Sequence, residues 1–272
     1  MCAPTVMDAV AARMTRRGFL GLLGAAALAG TVARAEKRVA VKGFTKVQDL
    51  THPLSPNFPM WPGFDPIRIT PLVTVEQNGF YGNRVDFWEH SGTHMDAPAH
   101  FDADGPTAEQ LPVERLFAPL AVIHIAERAA KDPDAQLTPD DILAWERRYD
   151  RLPAGAFVAM YSGWEQHASN AVRYRNMDAS GTMHFPGFHP DAAAMLIEER
   201  EITGIGVDTL SLDFGASTDF KTHLTVLPAG KYGLENLAHL GELPPAGATI
   251  IVGAPKHQGA SGGPVRAFAV WD

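Results

Sequence analysis

The sequence predicts an α/β domain, because helical segments alternate with short apolar strands in its second half. The segment 138–149 begins Thr-Pro-Asp-Asp, with a capping residue followed by proline at the first helical position, and an apolar strand follows at 156–161. A second helix is predicted at 190–199, where proline again comes first, and it precedes a strand at 204–209. This alternation of elements is typical of α/β proteins.

Further strands are predicted along the rest of the chain from their apolar and β-branched residues and from the turns that flank them. They are 46–51, 67–75, 83–89, 120–125, 248–253 and 265–271. The strand at 83–89 is expected to lead directly into His90.

Two segments are predicted to be irregular. Residues 52–63 contain too many prolines for a helix or a central strand, and Trp61 within them is a candidate pocket residue. Residues 162–189 are long for a connection and are expected to cover the pocket. This second segment contains three histidines that we interpret as structural or surface residues: His167, His184 and His189.

Residues 1–35 have the three regions of an export signal. Arg16 and Arg17 form a twin-arginine pattern, an apolar run follows at 20–32, and the Ala-Arg-Ala at 33–35 fits a cleavage site. The apolar run is shorter than the roughly 20 residues that span a bilayer. We therefore predict a twin-arginine signal, with an uncleaved membrane anchor as the alternative.

This signal predicts that the protein is periplasmic or secreted, that it is exported folded, and that it has no stable membrane association after cleavage. Residues 36–272 are expected to form a single domain. Met14 is a second candidate for the start of translation, because residues 1–13 add no recognisable feature.

The charge of the predicted mature chain argues against a nucleic-acid partner. Of 23 basic and 31 acidic residues, four arginines and one aspartate lie in residues 1–35, so residues 36–272 carry a formal charge of −11 and no basic stripe. The single cysteine, Cys2, lies in the predicted signal. The mature chain therefore has neither a disulfide nor a cysteine nucleophile.

The densest group of chemically active residues lies at 90–100, which read H-S-G-T-H-M-D-A-P-A-H. Three histidines and one aspartate fall within this short segment. Imidazole nitrogens and carboxylate oxygens are the ligands that Zn²⁺ or Mn²⁺ takes when no thiolate is available. The alternative is a histidine-rich loop in which each imidazole is hydrogen-bonded separately.

The spacing of these residues predicts a bend. In a straight strand His90 and His94 would lie roughly 13 Å apart, at about 3.3 Å per residue, which is too far for one ion. Residues 91–93, Ser-Gly-Thr, are typical of a turn. His94 and Asp96 are two residues apart and can share one face of an extended segment.

The same segment resembles the HxGTHxDxPxH motif of the cyclase family, and every fixed position of the motif is matched. The family includes metal-dependent amidohydrolases such as bacterial kynurenine formamidase and isatin hydrolase. The likeness extends from about residue 46 to the C-terminus. It implies a swivelling β/β/α fold, in which helices flank a mixed, barrel-like central sheet, and by analogy a homodimer or homotetramer.

The resemblance also implies a set of metal ligands. His90, His94 and Asp96 would bind a first divalent cation, Zn²⁺ or Mn²⁺. His223 and Glu235, which have the same twelve-residue spacing as in family members, would bind a second ion, with Asp96 as a possible bridge. The resemblance leaves open whether one ion or two are bound.

The segment 206–213 matches the family as well. Asp208, Ser211 and Asp213 are expected to surround the ligands, and the two aspartates are expected to order the site through hydrogen bonds. Ser211 is not interpreted as a nucleophile, because no Ser-His-Asp arrangement is readable in the sequence.

The implied chemistry is attack of metal-activated water on an amide carbonyl. His100 is the candidate general acid and base, because an imidazole titrates near neutral pH. A further metal ligand is the alternative role for His100.

The expected substrate is an aryl formamide or a cyclic amide such as a lactam. Two other functions stay open: a non-hydrolytic cyclase or dehydratase that acts on a polyketide-like substrate, and a non-catalytic periplasmic metal-binding protein. Large aromatic residues are the candidates for the pocket wall. They are Trp61, Phe87, Trp88, Phe185 and Phe188.

Overall fold

A mixed nine-stranded sheet, curled into a half-barrel, organises the protein in a computed structural model that describes residues 43–272. The predicted export signal lies outside the described residues. The strands are β1 (Lys46–Asp49), β2 (Arg68–Val73), β3 (Gly82–Asp86), β4 (His94–Asp96), β5 (Phe117–His124), β6 (Gln136–Leu137), β7 (Phe157–Tyr161), β8 (Gly187–Phe188), β9 (Gly204–Val207), β10 (Tyr232–Glu235), β11 (Ala248–Gly253), β12 (Gly262–Pro264) and β13 (Arg266–Trp271).

Six α-helices lie between these strands within the described residues. They are α1 (Val75–Asn78), α2 (Ala126–Ala129), α3 (Pro139–Tyr149), α4 (Ala171–Arg175), α5 (Pro190–Glu199) and α6 (Lys221–Val226). Both long predicted helices are confirmed as α3 and α5. Each begins with proline, and the residue before that proline caps the helix: Thr138 forms a capping box with Asp141, and the His189 ring accepts from the Asp191 N–H.

The strand order of the large sheet is β1-β13-β11-β5-β7-β9-β10-β4-β12. The four strands β5, β7, β9 and β10 are parallel to one another, and antiparallel strands extend the sheet on both sides. The predicted α/β class with a mixed, barrel-like sheet is therefore confirmed. Residues 44–272 form one compact unit.

The core lies on both faces of the parallel strands, because their side chains alternate between two apolar clusters. On β7, Val158 and Met160 belong to the cluster that contains residues of α3 and α5, whereas Phe157 and Ala159 belong to the opposite cluster. The cluster that contains Phe157 and Ala159 also contains Met95 of β4. Both faces of these strands are thus buried, as is usual for parallel strands.

The prediction that a strand at 83–89 leads directly into His90 is wrong. Strand β3 ends at Asp86 and pairs only with β2, in a separate two-stranded hairpin. Residues 87–93 then cross to the large sheet as an irregular segment. A two-stranded hairpin and a central strand have the same sequence signals, so periodicity does not distinguish them.

The other loop predictions have mixed outcomes. Residues 52–63 contain no strand or helix, as their prolines predict. Residues 162–189 are more ordered than expected, because they contain a 3₁₀ turn, α4 and β8. Within the described residues, no helix has the length and apolar character needed to span a membrane.

Candidate metal centre

Two adjacent strands near one edge of the large sheet carry three of the predicted ligands. His94 and Asp96 lie on β4, two residues apart, and Glu235 lies on β10 directly opposite His94 in the antiparallel register. His223 comes from α6, and His90 comes from the segment before β4. The chain therefore brings together residues that are up to 145 positions apart in the sequence.

The side chains of these five residues converge. His90 Nδ1 lies 2.6 Å from Asp96 Oδ1, and His94 Nε2 lies 3.3 Å from the same oxygen and 3.4 Å from Glu235 Oε2. His223 Nε2 lies 3.2 Å from Glu235 Oε1 and 3.5 Å from Asp96 Oδ2. Asp96 is central to the cluster, because its carboxylate is near all three imidazoles.

The donor atoms fit a divalent cation. His94 Nε2 and Asp96 Oδ2 are buried and have no hydrogen-bond partner among the described residues. Buried polar atoms without a partner are costly, and a cation would satisfy both at once. Two groups of three residues could each hold a metal ion, because their ligand atoms lie within 4.8 Å of one another. One group is His90, Asp96 and His100, and the other is His94, Asp96 and Glu235, so the two groups share Asp96.

The second ring nitrogen of each imidazole is held by another group. His94 Nδ1 lies 2.9 Å from the carbonyl oxygen of Gly92, and His223 Nδ1 lies 2.6 Å from Asp213 Oδ2. His90 Nε2 lies 3.0 Å from the hydroxyl oxygen of Ser261. Such contacts fix the tautomer and ring orientation of a histidine ligand.

The electrostatics of the cluster favour a positive charge between its members. Burial lowers the pKa of His94, but the nearby carboxylates of Asp96 and Glu235 outweigh burial and raise the pKa to about 10. Burial alone would raise the pKa of Asp96, but the surrounding imidazoles hold the pKa of that carboxyl well below its usual range. Buried carboxylates that face several imidazoles in this way provide the ligand atoms of a divalent cation.

His100 lies beside this cluster at the end of the 3₁₀ turn Pro98–His100. Its ring stacks on His90 with a centroid distance of 3.8 Å. Burial lowers the pKa of His100 to about 4, below the near-neutral value expected from the sequence, so the imidazole is neutral at neutral pH and a weaker base than usual. The geometry is compatible with both predicted roles, the proton carrier and the additional ligand.

Of the three residues expected around the ligands, Asp213 and Ser211 lie next to them. Besides its contact with His223, Asp213 accepts the backbone N–H of Thr222 at 2.8 Å. Ser211 lines the pocket, and its hydroxyl accepts the Asp213 N–H at 3.3 Å.

Asp208 does not contact a predicted ligand. Its carboxylate accepts the backbone N–H groups of Ser162 and Trp164 and the Ser162 hydroxyl, so it anchors that segment one layer behind the site. The prediction that Asp208 hydrogen-bonds within the metal site is wrong. Strand β9 ends at Val207, one residue earlier, and the Asp208 side chain turns toward residues 162–164.

A pocket of about 230 Å³ opens above the cluster and includes His90, His94, Asp96, His100, His223 and Glu235 in its wall. Trp61 and Trp88 line it as predicted. The prediction is wrong for Phe87, Phe185 and Phe188, because Phe185 and Phe188 are fully buried in the core and Phe87 packs against a core cluster. No residue of 162–189 lines the pocket, so that segment does not cover it.

The aromatic wall is completed by residues that the sequence did not single out: Phe64, Phe101 and Phe220. Phe101 stacks on His223 at a centroid distance of 4.7 Å, and Phe64 lies 4.8 Å from Trp88. Phe101 directly follows the motif residue His100, so the sequence could have placed it near the site. Nothing in the sequence around Phe64 or Phe220 indicates that they line the pocket.

A buried imidazole–carboxylate cluster at the base of an aromatic pocket, on this mixed sheet, defines the class of metal-dependent hydrolases. The model of the family described as Putative cyclase matches residues 48–214. An isatin hydrolase of Roseibium aggregatum is 34% identical over 249 residues, which are 85% of this chain and 93% of that protein.

Solved structures agree with this match. Isatin hydrolase A from Ralstonia solanacearum is 32% identical with a TM-score of 0.80, covering 100% of this chain and 99% of that one. An isatin hydrolase bound to the product analogue thioisatinate is 29% identical with a TM-score of 0.79, and 99% of each chain is covered. The chain belongs to the cyclase family.

Proposed function

We propose that this protein is a metal-dependent amidohydrolase that opens a cyclic aryl amide of the isatin type. The observation that carries the proposal is the convergence of His90, His94, Asp96, His223 and Glu235 at the base of an aromatic pocket. The relatives named as isatin hydrolases support the same substrate class.

The substrate would lie flat among the pocket's aromatic rings, since a fused aryl ring gains area and ring–ring contacts there. The pocket is mostly apolar, with polar groups gathered at its base. This arrangement directs the reactive carbonyl toward the imidazole–carboxylate cluster. It also limits the water around the reacting group, which strengthens the electrostatic interactions at the base.

The five residues named above would hold Zn²⁺ or Mn²⁺, as one ion or as two that share Asp96. When bound, the cation supplies a Lewis acid that polarises the carbonyl and lowers the pKa of water. Asp213 and the Gly92 carbonyl hold the outer nitrogens of His223 and His94, so that both rings present Nε2 to the cation.

His100 is the proposed general base and acid. Because it is neutral, it can take the proton of water as the new C–O bond forms, and then deliver a proton to the amide nitrogen as the C–N bond breaks. The product is the ring-opened carboxylate with a free aryl amine. No redox step or further co-reactant is needed.

The experiment is a product analysis after metal reconstitution. Protein stripped with a chelator and reloaded with Mn²⁺ or Zn²⁺ is incubated with isatin, an N-formyl aryl amine and an aryl lactone. We expect turnover of isatin, with a product heavier by one water. A product lighter by one water would favour the dehydratase alternative, and full turnover by the stripped protein would exclude a metal-dependent reaction.

We also propose that residues 1–35 export the protein folded to the periplasm or the medium. The support is the twin-arginine pattern followed by an apolar run and a small-residue site. Replacing Arg16 and Arg17 with Lys is expected to leave uncleaved precursor in the cytoplasm. Unchanged export of that variant would overturn the proposal.

The remaining part of the proposal is a homo-oligomer formed through the β2–β3 hairpin. Large apolar side chains of the hairpin and its flanks are exposed: Phe64, Ile69, Leu72, Val75, Phe80, Tyr81, Val85 and Trp88. A two-stranded hairpin is marginally stable alone, and an apolar patch of this kind is typical of an interface. A second copy of the chain is the proposed occupant.

A further inference from the structure

Two polar side chains, Ser261 and Glu89, extend a hydrogen-bonded chain from His90 Nε2, the ring nitrogen that does not face Asp96. The hydroxyl of Ser261 lies 3.0 Å from His90 Nε2 and donates to Glu89 Oε2 at 2.7 Å. The backbone N–H of Ser261 donates to the same Glu89 oxygen at 3.1 Å. Neither Glu89 nor Ser261 has a part in the proposed chemistry above.

We propose that Glu89 and Ser261 position His90 so that it binds the cation through Nδ1, whereas His94 and His223 bind through Nε2. The inference rests on the proposed metal site and adds two positioning residues to it. It follows from counting the hydrogens that are available along the chain.

The single hydroxyl hydrogen of Ser261 is donated to Glu89 Oε2. The Ser261 oxygen can therefore only accept from the imidazole, so the His90 Nε2 atom carries a hydrogen. A cation can then bind His90 only through Nδ1.

The His90 Nδ1 atom lies 2.6 Å from Asp96 Oδ1. At this distance the two atoms must share a proton or a cation, because two lone pairs would repel each other. The Glu89–Ser261 pair therefore prepares the Nδ1 position for a cation, in the way that carboxylates and carbonyls orient histidine ligands in other metal sites.

The backbone fixes Ser261 in this position. Its carbonyl oxygen accepts the Ala97 N–H at 2.9 Å, and β12 begins at the next residue. Gly262 pairs with Asp96 in the β12–β4 register. Residues that are more than 160 positions apart in the sequence thus share one rigid piece of the sheet.

The test compares the Mn²⁺ affinity of four full-length variants with that of the unmodified protein. Ser261→Ala and Glu89→Gln are expected to raise the Mn²⁺ dissociation constant about 10–100-fold, whereas Ser261→Thr keeps the hydroxyl and should retain most of the affinity. Glu109→Gln is the matched control. Glu109 accepts the Gly259 N–H at 2.8 Å, so it holds the same segment without a contact to His90.

A second readout reports the tautomer directly. In nitrogen–hydrogen correlation spectra of the Zn²⁺-loaded protein, His90 is expected to be protonated on Nε2, whereas His94 and His223 are protonated on Nδ1. A structural role for Ser261 alone would not produce this pattern.

The outcomes separate the two proposals. Unchanged affinity in Ser261→Ala, an equal loss in Glu109→Gln, or a His90 ring protonated on Nδ1 would each overturn the positioning role while the proposed hydrolase stands. Absence of metal binding by the unmodified protein would overturn both.

Discussion

At the scale of single residues, the site is defined by which ring nitrogen each histidine presents. His94 and His223 present Nε2 because their Nδ1 atoms are held by Gly92 and Asp213. The sequence could predict that His90, His94 and Asp96 cluster, since they lie in one short motif. It could not predict the contact of Ser261 with His90, because nothing local in the sequence links residues 171 positions apart.

Replacing His100 with Ala tests its proposed role in proton transfer. The His100 imidazole stacks on His90 but makes no hydrogen bond to a proposed ligand within residues 43–272. Its loss should therefore leave the metal in place. We expect kcat to fall about 10²–10⁴-fold, the usual contribution of general acid–base catalysis. Metal content and kcat are measured on the same preparation. Loss of metal together with activity would instead identify His100 as a ligand.

The pH dependence of stability contains a contribution from His52. Burial, with a smaller effect of His239, lowers the pKa of His52 to about 4. The His52 Nε2 atom is buried and has no hydrogen-bond partner within residues 43–272. The unfolded chain therefore binds more protons between pH 6.5 and pH 4. The contribution of neutral His52 to the free energy of unfolding is complete above pH 6.5 and is lost as the pH falls through 4.

We expect the metal-free protein to lose about 2 kcal/mol of unfolding free energy from this residue between pH 7 and pH 4.5. A His52→Gln variant should lack that part of the pH dependence, because glutamine does not titrate. Urea unfolding at several pH values measures the difference. Parallel pH curves for the two proteins would contradict the assignment.

At the scale of elements, the antiparallel pairing of β4 with β10 and β12 builds the ligand cluster. The register places Glu235 opposite His94 and Gly262 opposite Asp96. The helices α3 and α5 could be predicted, because their caps and prolines are local signals. The extended geometry of β4 was predicted from the spacing of His94 and Asp96. Strands β10 and β12 were missed, since each has only three or four residues and both contain glycine.

Gly262 allows the close approach of β12 to β4. A Cβ atom at this position would lie 2.1 Å from the Met95 carbonyl oxygen and 2.8 Å from His90 Cε1. Gly262→Ala is therefore expected to lower the free energy of unfolding by about 2–4 kcal/mol and to weaken Mn²⁺ binding.

Gly253→Ala is the matched control, because a Cβ atom on β11 would come no closer than 3.2 Å to a neighbouring atom. Chemical unfolding and metal titration of both variants measure the two effects. A Gly262→Ala protein as stable as the control would show that the β12–β4 spacing is not critical.

At the scale of the whole molecule, the curled sheet combines a rigid ligand cluster with an exposed apolar hairpin. The resemblance to the cyclase family predicted the barrel-like sheet, whereas composition and periodicity alone reached only the α/β class. The separate β2–β3 hairpin was not predicted, because its strands have the same sequence pattern as those of the large sheet.

The hairpin leads to a prediction about assembly. Leu72 is 64% exposed, and Leu72→Asp should raise the dimer dissociation constant at least about tenfold by placing a charge in the proposed contact. Val172→Asp is the control, because Val172 on α4 is 81% exposed and lies outside the hairpin. Sedimentation across a concentration series measures the change. A monomeric unmodified protein, or equal effects of the two variants, would contradict the interface.

Anomalous diffraction from crystals of the Mn²⁺-loaded protein tests directly whether the cluster binds a metal. We expect a peak within bonding distance of His94 Nε2 and the Asp96 carboxylate, at the point where His90, His223 and Glu235 also converge. A peak elsewhere on the molecule, or none at this cluster when the crystals contain stoichiometric manganese, would contradict this expectation.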